Sequence, residues 1–279
     1  MTILLTGGTG KSATPLATLL LEAKQSVVLA NRSGRVPEPF KGVRFDWLDP
    51  STYAVPFDSH RNIDRVYLVA PGITDMFPPM KAFIDVAVQK GVKRFVLMSA
   101  GVLEMGGPAM GQVHQYLNTL SVEYCALRPS WFFDNFALQY ANRINSHNDI
   151  VSGAEDGQVG YVSTEDIAEV AFKALVDDVI EHNNPIIVGP DLLSYDKIAG
   201  MLTEVLGRKI THTRLAGDKL KQVFLARGMP EDYAEMMVAM DSLVAGGVEQ
   251  QLYRRADVVG TRKLRAFFEA NLEVWRTSD

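Results

Sequence analysis

Only one cysteine, Cys125, stands among 279 residues, so no disulfide can close within the chain and a cysteine-built metal site is excluded. Five histidines, at 60, 114, 147, 182 and 212, never recur at the i, i+4 spacing of a helical zinc site. No G-x-S-x-G segment supplies a nucleophile elbow. No uncharged apolar stretch reaches the roughly 18 residues of a membrane span. Basic residues do not predominate: 28 Lys and Arg face 33 Asp and Glu, the net charge is −5, and no dense Lys/Arg block occurs. That balance speaks against a nucleic-acid surface, which needs a basic face for phosphates. No basic segment precedes an apolar one at the start, where residues 2–5 run directly into a glycine loop, so the expected compartment is the cytoplasm.

What is there is ample material for a core, with 47% hydrophobic residues. The first half alternates short apolar runs with longer amphipathic ones. Strands are expected at 2–6, 26–30, 43–45, 65–70, 94–99 and 123–127, and helices at 12–23, 79–90 and 112–119, with Gly91 as a left-handed cap. Cys125 falls in an apolar run and reads as a buried, inert thiol. The strands lack polar alternation, which fits a parallel sheet covered on both faces. Later residues predict helices at 164–176, 195–206, 219–226, 231–246 and 262–275, and a short strand at 185–189. The expected fold is α/β. A Rossmann-like doubly wound parallel sheet occupies 1–130, with segments of 160–190 returning to it, and a smaller, mostly helical C-terminal substrate region occupies 131–279.

The opening Leu4-Leu5-Thr6-Gly7-Gly8-Thr9-Gly10-Lys11-Ser12-Ala13 supports two interpretations. As a dinucleotide loop of the form G-x-x-G-x-x-A, Gly7 permits the tight turn, Gly10 lets backbone N–H groups approach a pyrophosphate, and small Ala13 lets helix and strand pack. Thr9, Lys11 and Ser12 then border the phosphates. As a nucleotide-triphosphate P-loop, Gly10-Lys11-Ser12 would need a glycine at position 5, which is Leu5. The dinucleotide reading is preferred. The second strand ends in Asn31-Arg32-Ser33-Gly34-Arg35, with no acid until Glu38. Where an NAD site places Asp or Glu on the ribose, this chain offers two guanidinium groups and a hydroxyl, which suit a 2′-phosphate and therefore NADPH.

Several segments resemble the NmrA-like branch of the atypical short-chain dehydrogenase/reductases. They are Leu4 to Gly10, Lys93-Arg94-Phe95-Val96-Leu97-Met98-Ser99, Leu127-Arg128-Pro129-Ser130-Trp131-Phe132-Phe133-Asp134-Asn135-Phe136, Ser163-Thr164-Glu165-Asp166-Ile167-Ala168 and Gly189-Pro190. Phe45-Asp46-Trp47-Leu48-Asp49-Pro50-Ser51-Thr52 and the Trp131 segment further resemble the fungal festuclavine and agroclavine dehydrogenases of ergot alkaloid biosynthesis. The resemblance implies a Rossmann core with adenine near Asp46 and Trp47 and nicotinamide near Ala70, Pro71 and Ser99. It also implies a small-molecule substrate between the core and the helical tail. Trp131, Phe132, Asn135 and Tyr161 are the candidate substrate contacts.

The usual Tyr-x-x-x-Lys pair of short-chain reductases is missing: none of the nine tyrosines has Lys four positions later. His114 and Tyr116 are the remaining candidates for a proton donor. An iminium carbon is already electrophilic, so its reduction needs orientation and aromatic walls more than an acid. The expected activity is NADPH-dependent reduction of a cyclic imine or iminium. Reduction of quinones or conjugated carbonyls, and a non-catalytic NADP(H)-sensing role, stay open beside it.

Overall fold

The computed structural model describes residues 1–275; residues 276–279, the end of the expected 131–279 region, lie outside the described residues. Two compact units divide the chain. One is Met1–Pro129 with Thr164–Ile186, the other Ser130–Ser163 with Ile187–Asp279. In chain order the elements are β1 (Thr2–Thr6), α1 (Ala13–Glu22), β2 (Ser26–Asn31), β3 (Lys41–Arg44), α2 (Val55–Ser59), β4 (Ile63–Val69), α3 (Phe77–Gln89), β5 (Arg94–Met98), α4 (Met110–Thr119) and β6 (Glu123–Pro129). Then come α5 (Ala141–His147), β7 (Asp149–Ser152), β8 (Gln158–Val159), α6 (Thr164–Val176), β9 (Ile186–Val188), β10 (Leu193–Ser194), α7 (Tyr195–Leu206) and β11 (Thr211–Arg214). The chain continues through α8 (Gly217–Ala226), α9 (Glu231–Ala245), α10 (Val248–Arg254), β12 (Val258–Val259) and α11 (Leu264–Ala270).

In the first unit six strands pair in parallel in the order β3-β2-β1-β4-β5-β6. The chain order reverses at β1, so a crevice opens beyond the C-terminal ends of β1 and β4, where doubly wound sheets bind ligands. Every residue of β1 and of β5 is buried, as parallel strands covered on both faces must be. Helix α1 buries Ala13, Leu16, Ala17 and Leu20, the i, i+3, i+4, i+7 face of an amphipathic helix, and packs against α6. Arg94 enters this core yet stays paired. It meets the Glu123 carboxylate at 2.7 Å and donates to the carbonyls of Ala174, Asp177 and Asp178, closing the C-terminal end of α6. Gly91 follows α3 at φ +96°, the left-handed conformation expected of it. Cys125 is buried, and burial pushes its thiol up to about 12.

The second unit is built around Phe133, Phe136, Tyr140, Tyr161, Tyr195, Phe268 and Trp275. It carries helices α7 to α11 but also two small sheets, β7 with β11 in parallel and β8 with β10 antiparallel, which periodicity does not announce. The expected helix over 262–275 is two pieces, Leu264–Ala270 and a 3₁₀ turn over Leu272–Trp275, broken at Asn271. The third strand runs over Lys41–Arg44 and Phe45 lies just beyond it, while α1 begins at Ala13, one residue later than expected. Directly after the Trp131 segment, Phe136–Tyr140 forms a single π turn leading into α5.

Candidate functional site

At the C-terminal end of β1 the chain turns at Gly7, φ +59°, and the N–H of Gly10 donates to the Gly7 carbonyl at 2.7 Å. A Cβ on Gly10 would lie 2.9 Å from that carbonyl, so the tight loop itself requires glycine there. Gly8 is equally constrained and was not singled out by the sequence pattern. Its N–H donates to Ala30 at 3.0 Å, and a Cβ would stand 2.6 Å from the Leu29 Cβ. No side chain caps the N-terminus of α1, where Ser12 is buried and Lys11 and Thr9 are exposed. A glycine loop leading into a helix N-terminus suits an anion, although in this first turn the Thr14 N–H is taken by the Gly10 carbonyl at 2.9 Å and Pro15 has none. Ala13 is fully buried against the sheet, as close helix–strand packing needs.

The basic turn after β2 is organised by Asn31. Its Oδ1 accepts from the N–H of Ser33 at 3.0 Å, the Ser33 hydroxyl at 3.0 Å and the N–H of Gly34 at 2.7 Å, while its Nδ2 donates to the Arg35 carbonyl at 2.8 Å. Asn31 and Ser33 are thus spent on the turn, whereas Arg32 and Arg35 are exposed. After β3, Asp46 accepts from the N–H of Leu48 at 3.0 Å and receives the Thr52 hydroxyl on its carbonyl at 3.1 Å. The Trp47 indole donates to the Val69 carbonyl at 3.1 Å and meets the rings of Phe45 and Phe83 edge-on at 4.8 and 5.3 Å. Ala70 and Pro71 follow β4 and are half-buried.

Ser99 follows β5 and is buried, and its hydroxyl has no hydrogen-bond partner among the described residues. The loop that follows Ser99 is pinned from β6 by Arg128, which donates at 2.8 Å to both the Gly101 carbonyl and the Glu104 carboxylate. Arg128 lies in the segment 127–136, where spacing alone does not announce this role.

The two candidate proton donors sit on α4. The Tyr116 hydroxyl is engaged by the Asp85 carboxylate of α3, and the Lys81 ammonium lies 4.7 Å from the ring centroid and 2.8 Å from Asp85. The Asp85 hydrogen bond, then burial, raise the phenol, so this cluster holds its proton firmly. His114 is buried edge-on against Tyr124 at 5.6 Å, and its Nδ1 has no partner among the described residues. Burial, then the Arg128 charge, lower its pKa and favour the neutral ring.

In the second unit Trp131, Phe132 and Asn135 are half-buried. Trp131 and Phe133 are tied to Val162 through its N–H and carbonyl at 2.9 and 3.0 Å, which sets the Trp131 segment beside Tyr161. Tyr161 is buried, its hydroxyl has no hydrogen-bond partner among the described residues, and burial raises its phenol well above the ordinary value. Two acids that the sequence reading passed over lie in this unit, Asp241 on α9 and Glu249 on α10. A signal for the first existed: the buried stripe of α9 is Ala234, Met237, Asp241 and Val244, an acid in an apolar i, i+3, i+7, i+10 row. A further constellation was invisible in the sequence. The Asp196 carboxylate meets His212 Nδ1 at 2.9 Å, and His212 Nε2 meets the Ser152 hydroxyl at 2.8 Å. Despite the Ser–His–Asp order, Ser152 is fully buried and tied to the N–H of Ala154 at 3.3 Å. This chain of bonds fastens α7 and β11 to β7 and presents no nucleophile to a substrate.

Among protein families, residues 1–266 match the model of the NmrA-like family. The chain belongs to the NmrA-like family. Agroclavine dehydrogenase from Claviceps fusiformis is 41% identical to this NmrA-like protein over 289 residues, covering 100% of both chains. Festuclavine synthase II from Penicillium roqueforti is 42% identical over 261 residues, covering 90% of this chain and 91% of its own. Among solved structures, the Citrobacter sp. triphenylmethane reductase complexed with NADP(H) superposes with a TM-score of 0.77 at 19% identity, covering 97% of this chain and 99% of that one. At that identity the likeness shows the fold of the NmrA-like chain. No helix among the described residues is long and apolar enough to cross a membrane.

Proposed function

We propose that this NmrA-like protein is an NADPH-dependent reductase that delivers hydride to a cyclic imine or iminium, the small-molecule chemistry of the clavine alkaloid pathways. The observation that carries this reading is the end-to-end similarity, at 41% identity, to an agroclavine dehydrogenase.

The cofactor fits what the residues offer. Gly7, Gly10 and the uncapped start of α1 would cradle the pyrophosphate, with Thr9, Lys11 and Ser12 at its border. Arg32 and Arg35 would meet the 2′-phosphate, and the Asn31–Ser33 turn would hold them in place. Asp46 and Trp47 would flank the adenine, and Ala70, Pro71 and the unpartnered Ser99 hydroxyl the nicotinamide end. When bound, NADPH supplies the hydride. Trp131, Phe132, Asn135 and Tyr161 would orient the substrate. Tyr116, locked on Asp85, is not set up to protonate a developing alkoxide. An iminium needs no such proton, because the hydride's electron pair forms the new C–H bond and the C=N π pair returns to nitrogen, neutralising it.

The deciding experiment follows NADPH oxidation by the purified protein against cyclic iminium salts, quinones and ketones, with NADPH and NADH affinities measured alongside. Reduction of the iminium with tighter NADPH binding is expected. Turnover confined to quinones would move the reading to a quinone reductase. NADPH binding without turnover of any class would leave a sensor.

A further inference from the structure

Among the described residues, the second unit buries two carboxylates that no cation answers. Asp241 is 3% exposed and Glu249 2% exposed. Asp241 accepts from the N–H of Gly153 at 2.7 Å, and Glu249 from the Ser130 hydroxyl at 2.7 Å. Among the described residues no positively charged group acts on either, and burial, the largest influence on both, pushes their pKa values up. Removing a carboxylate from water without a positive partner is costly. A third group shares the place. Tyr161, 2% exposed, has no hydrogen-bond partner for its hydroxyl among the described residues, sits beside Tyr195, and feels the charges of both acids. The Trp131 indole lies against Glu249 and helps to hold it ionised. Rings of Phe136 and Tyr195 stand 4.9 and 6.3 Å from that of Tyr161, and the Tyr140 and Tyr195 hydroxyls bond each other at 3.0 Å. Two unanswered carboxylates, a spare hydroxyl and aromatic faces are the complement of a small organic cation.

The geometry points to Asp241 and Glu249 as the groups that recognise the positive charge on the substrate's nitrogen, with the Tyr161 hydroxyl set toward the same group. This deepens the reductase reading and rests on it for the reaction, though not for the charge. The alternative is that both acids serve the fold alone, Asp241 by closing the Gly153 turn. A structural role would not distinguish a cation from its neutral counterpart, so the measurement turns on that difference.

Full-length protein with NADP⁺ present is titrated calorimetrically with N-methyl-dihydroisoquinolinium and with dihydronaphthalene, its uncharged carbon counterpart. The unmodified protein should prefer the cation by about thirtyfold or more, as a desolvated ion pair does. Asp241→Asn and Glu249→Gln should each reduce that preference to less than about fivefold while NADP⁺ and dihydronaphthalene affinities hold. Equal affinity for the two probes in the unmodified protein overturns the assignment without any variant. A preference retained in both variants, or an equal loss of both probes, does the same. Turnover is read separately. Cation preference without iminium reduction would end the reductase reading and leave the charge site standing, and reduction without cation preference would do the reverse.

Discussion

The Asn31 side chain spans the basic turn after β2, accepting from the N–H of Gly34 at 2.7 Å and donating to the carbonyl of Arg35 at 2.8 Å. One carboxamide therefore fixes the spacing of Arg32 and Arg35 without needing to touch a ligand. Arg32→Ala should weaken NADPH by about 1.5–3 kcal/mol, the worth of a charge-assisted phosphate contact, and leave NADH nearly unchanged. Asn31→Ala should weaken NADPH by a smaller margin through the loosened turn. Fluorescence titration with both cofactors measures this, and equal NADPH and NADH affinities in the unmodified protein would end the 2′-phosphate assignment.

The glycine loop separates packing from ligand approach. Gly8→Ala drives a methyl into Leu29, 2.6 Å away, and should cost about 1–3 kcal/mol of stability. Gly10→Val should nearly abolish cofactor binding while the rest of the fold persists, because its Cβ would stand 2.9 Å from the Gly7 carbonyl and force the loop out of shape. Lys11→Ala should be mild. Thermal unfolding and cofactor titration of the three variants distinguish these outcomes. ATP hydrolysis that disappears in Lys11→Ala would instead revive the nucleotide-triphosphate reading.

The first unit was largely legible because its signals are local. Apolar runs without alternation mark β1, β2, β4, β5 and β6, and glycines mark the turn after β1 and the end of α3. The second unit was less so. Strands β7 and β11 read Asp-Ile-Val-Ser and Thr-His-Thr-Arg, too short and polar to announce themselves, and they pair residues some sixty positions apart, such as Ser152 and Arg214. The Ser152–His212–Asp196 bonds depend on that pairing, so no spacing rule could reveal them. Asn31 was legible as a position in the basic turn but not as its brace, because the brace is a set of hydrogen bonds and not a residue type.

The Ser152–His212 bond is predicted to stabilise the fold and to catalyse nothing. Ser152→Ala leaves a ring nitrogen of His212 without its buried partner and should lower stability by about 1–3 kcal/mol in denaturant unfolding. Reductase turnover at saturating substrate should barely move, and no esterase activity should be present to lose. An unchanged unfolding midpoint would show that the bond contributes nothing.

Asp241 should imprint a pH dependence on stability. Burial raises its carboxyl from 3.8 to about 6, so the native state keeps a proton that the unfolded chain has released. Stability fully present below about pH 4 is therefore lost as the pH rises through about 6, by roughly 2–3 kcal/mol in all. Tyr140, Tyr161 and Tyr195, the phenols that feel this charge, are held well above their ordinary value by burial and stay neutral in that window. Glu249 is also raised and adds a loss of the same sign, so Glu249→Gln is measured beside it. Denaturant unfolding across this range should show the unmodified protein declining relative to Asp241→Asn. Parallel curves would mean that Asp241 titrates normally in the folded state.

The last test concerns the chemical step. If hydride goes to an iminium, no side chain has to deliver a proton in that step, and Tyr116 is in any case committed to Asp85 beside Lys81. Tyr116→Phe should then slow hydride transfer by less than about tenfold, well short of the 10²–10⁴ expected on removing a general acid. Trp131→Ala should do more harm, because it removes an aromatic wall and the indole that lies against Glu249. Single-turnover oxidation of NADPH with preformed iminium, followed across pH in both variants, compares the two effects directly. A collapse of two or more decades in Tyr116→Phe, with Trp131→Ala near normal, would make Tyr116 the acid. The Asp85 bond would then have to break in the working complex, and the acid-free account of the reaction would be wrong.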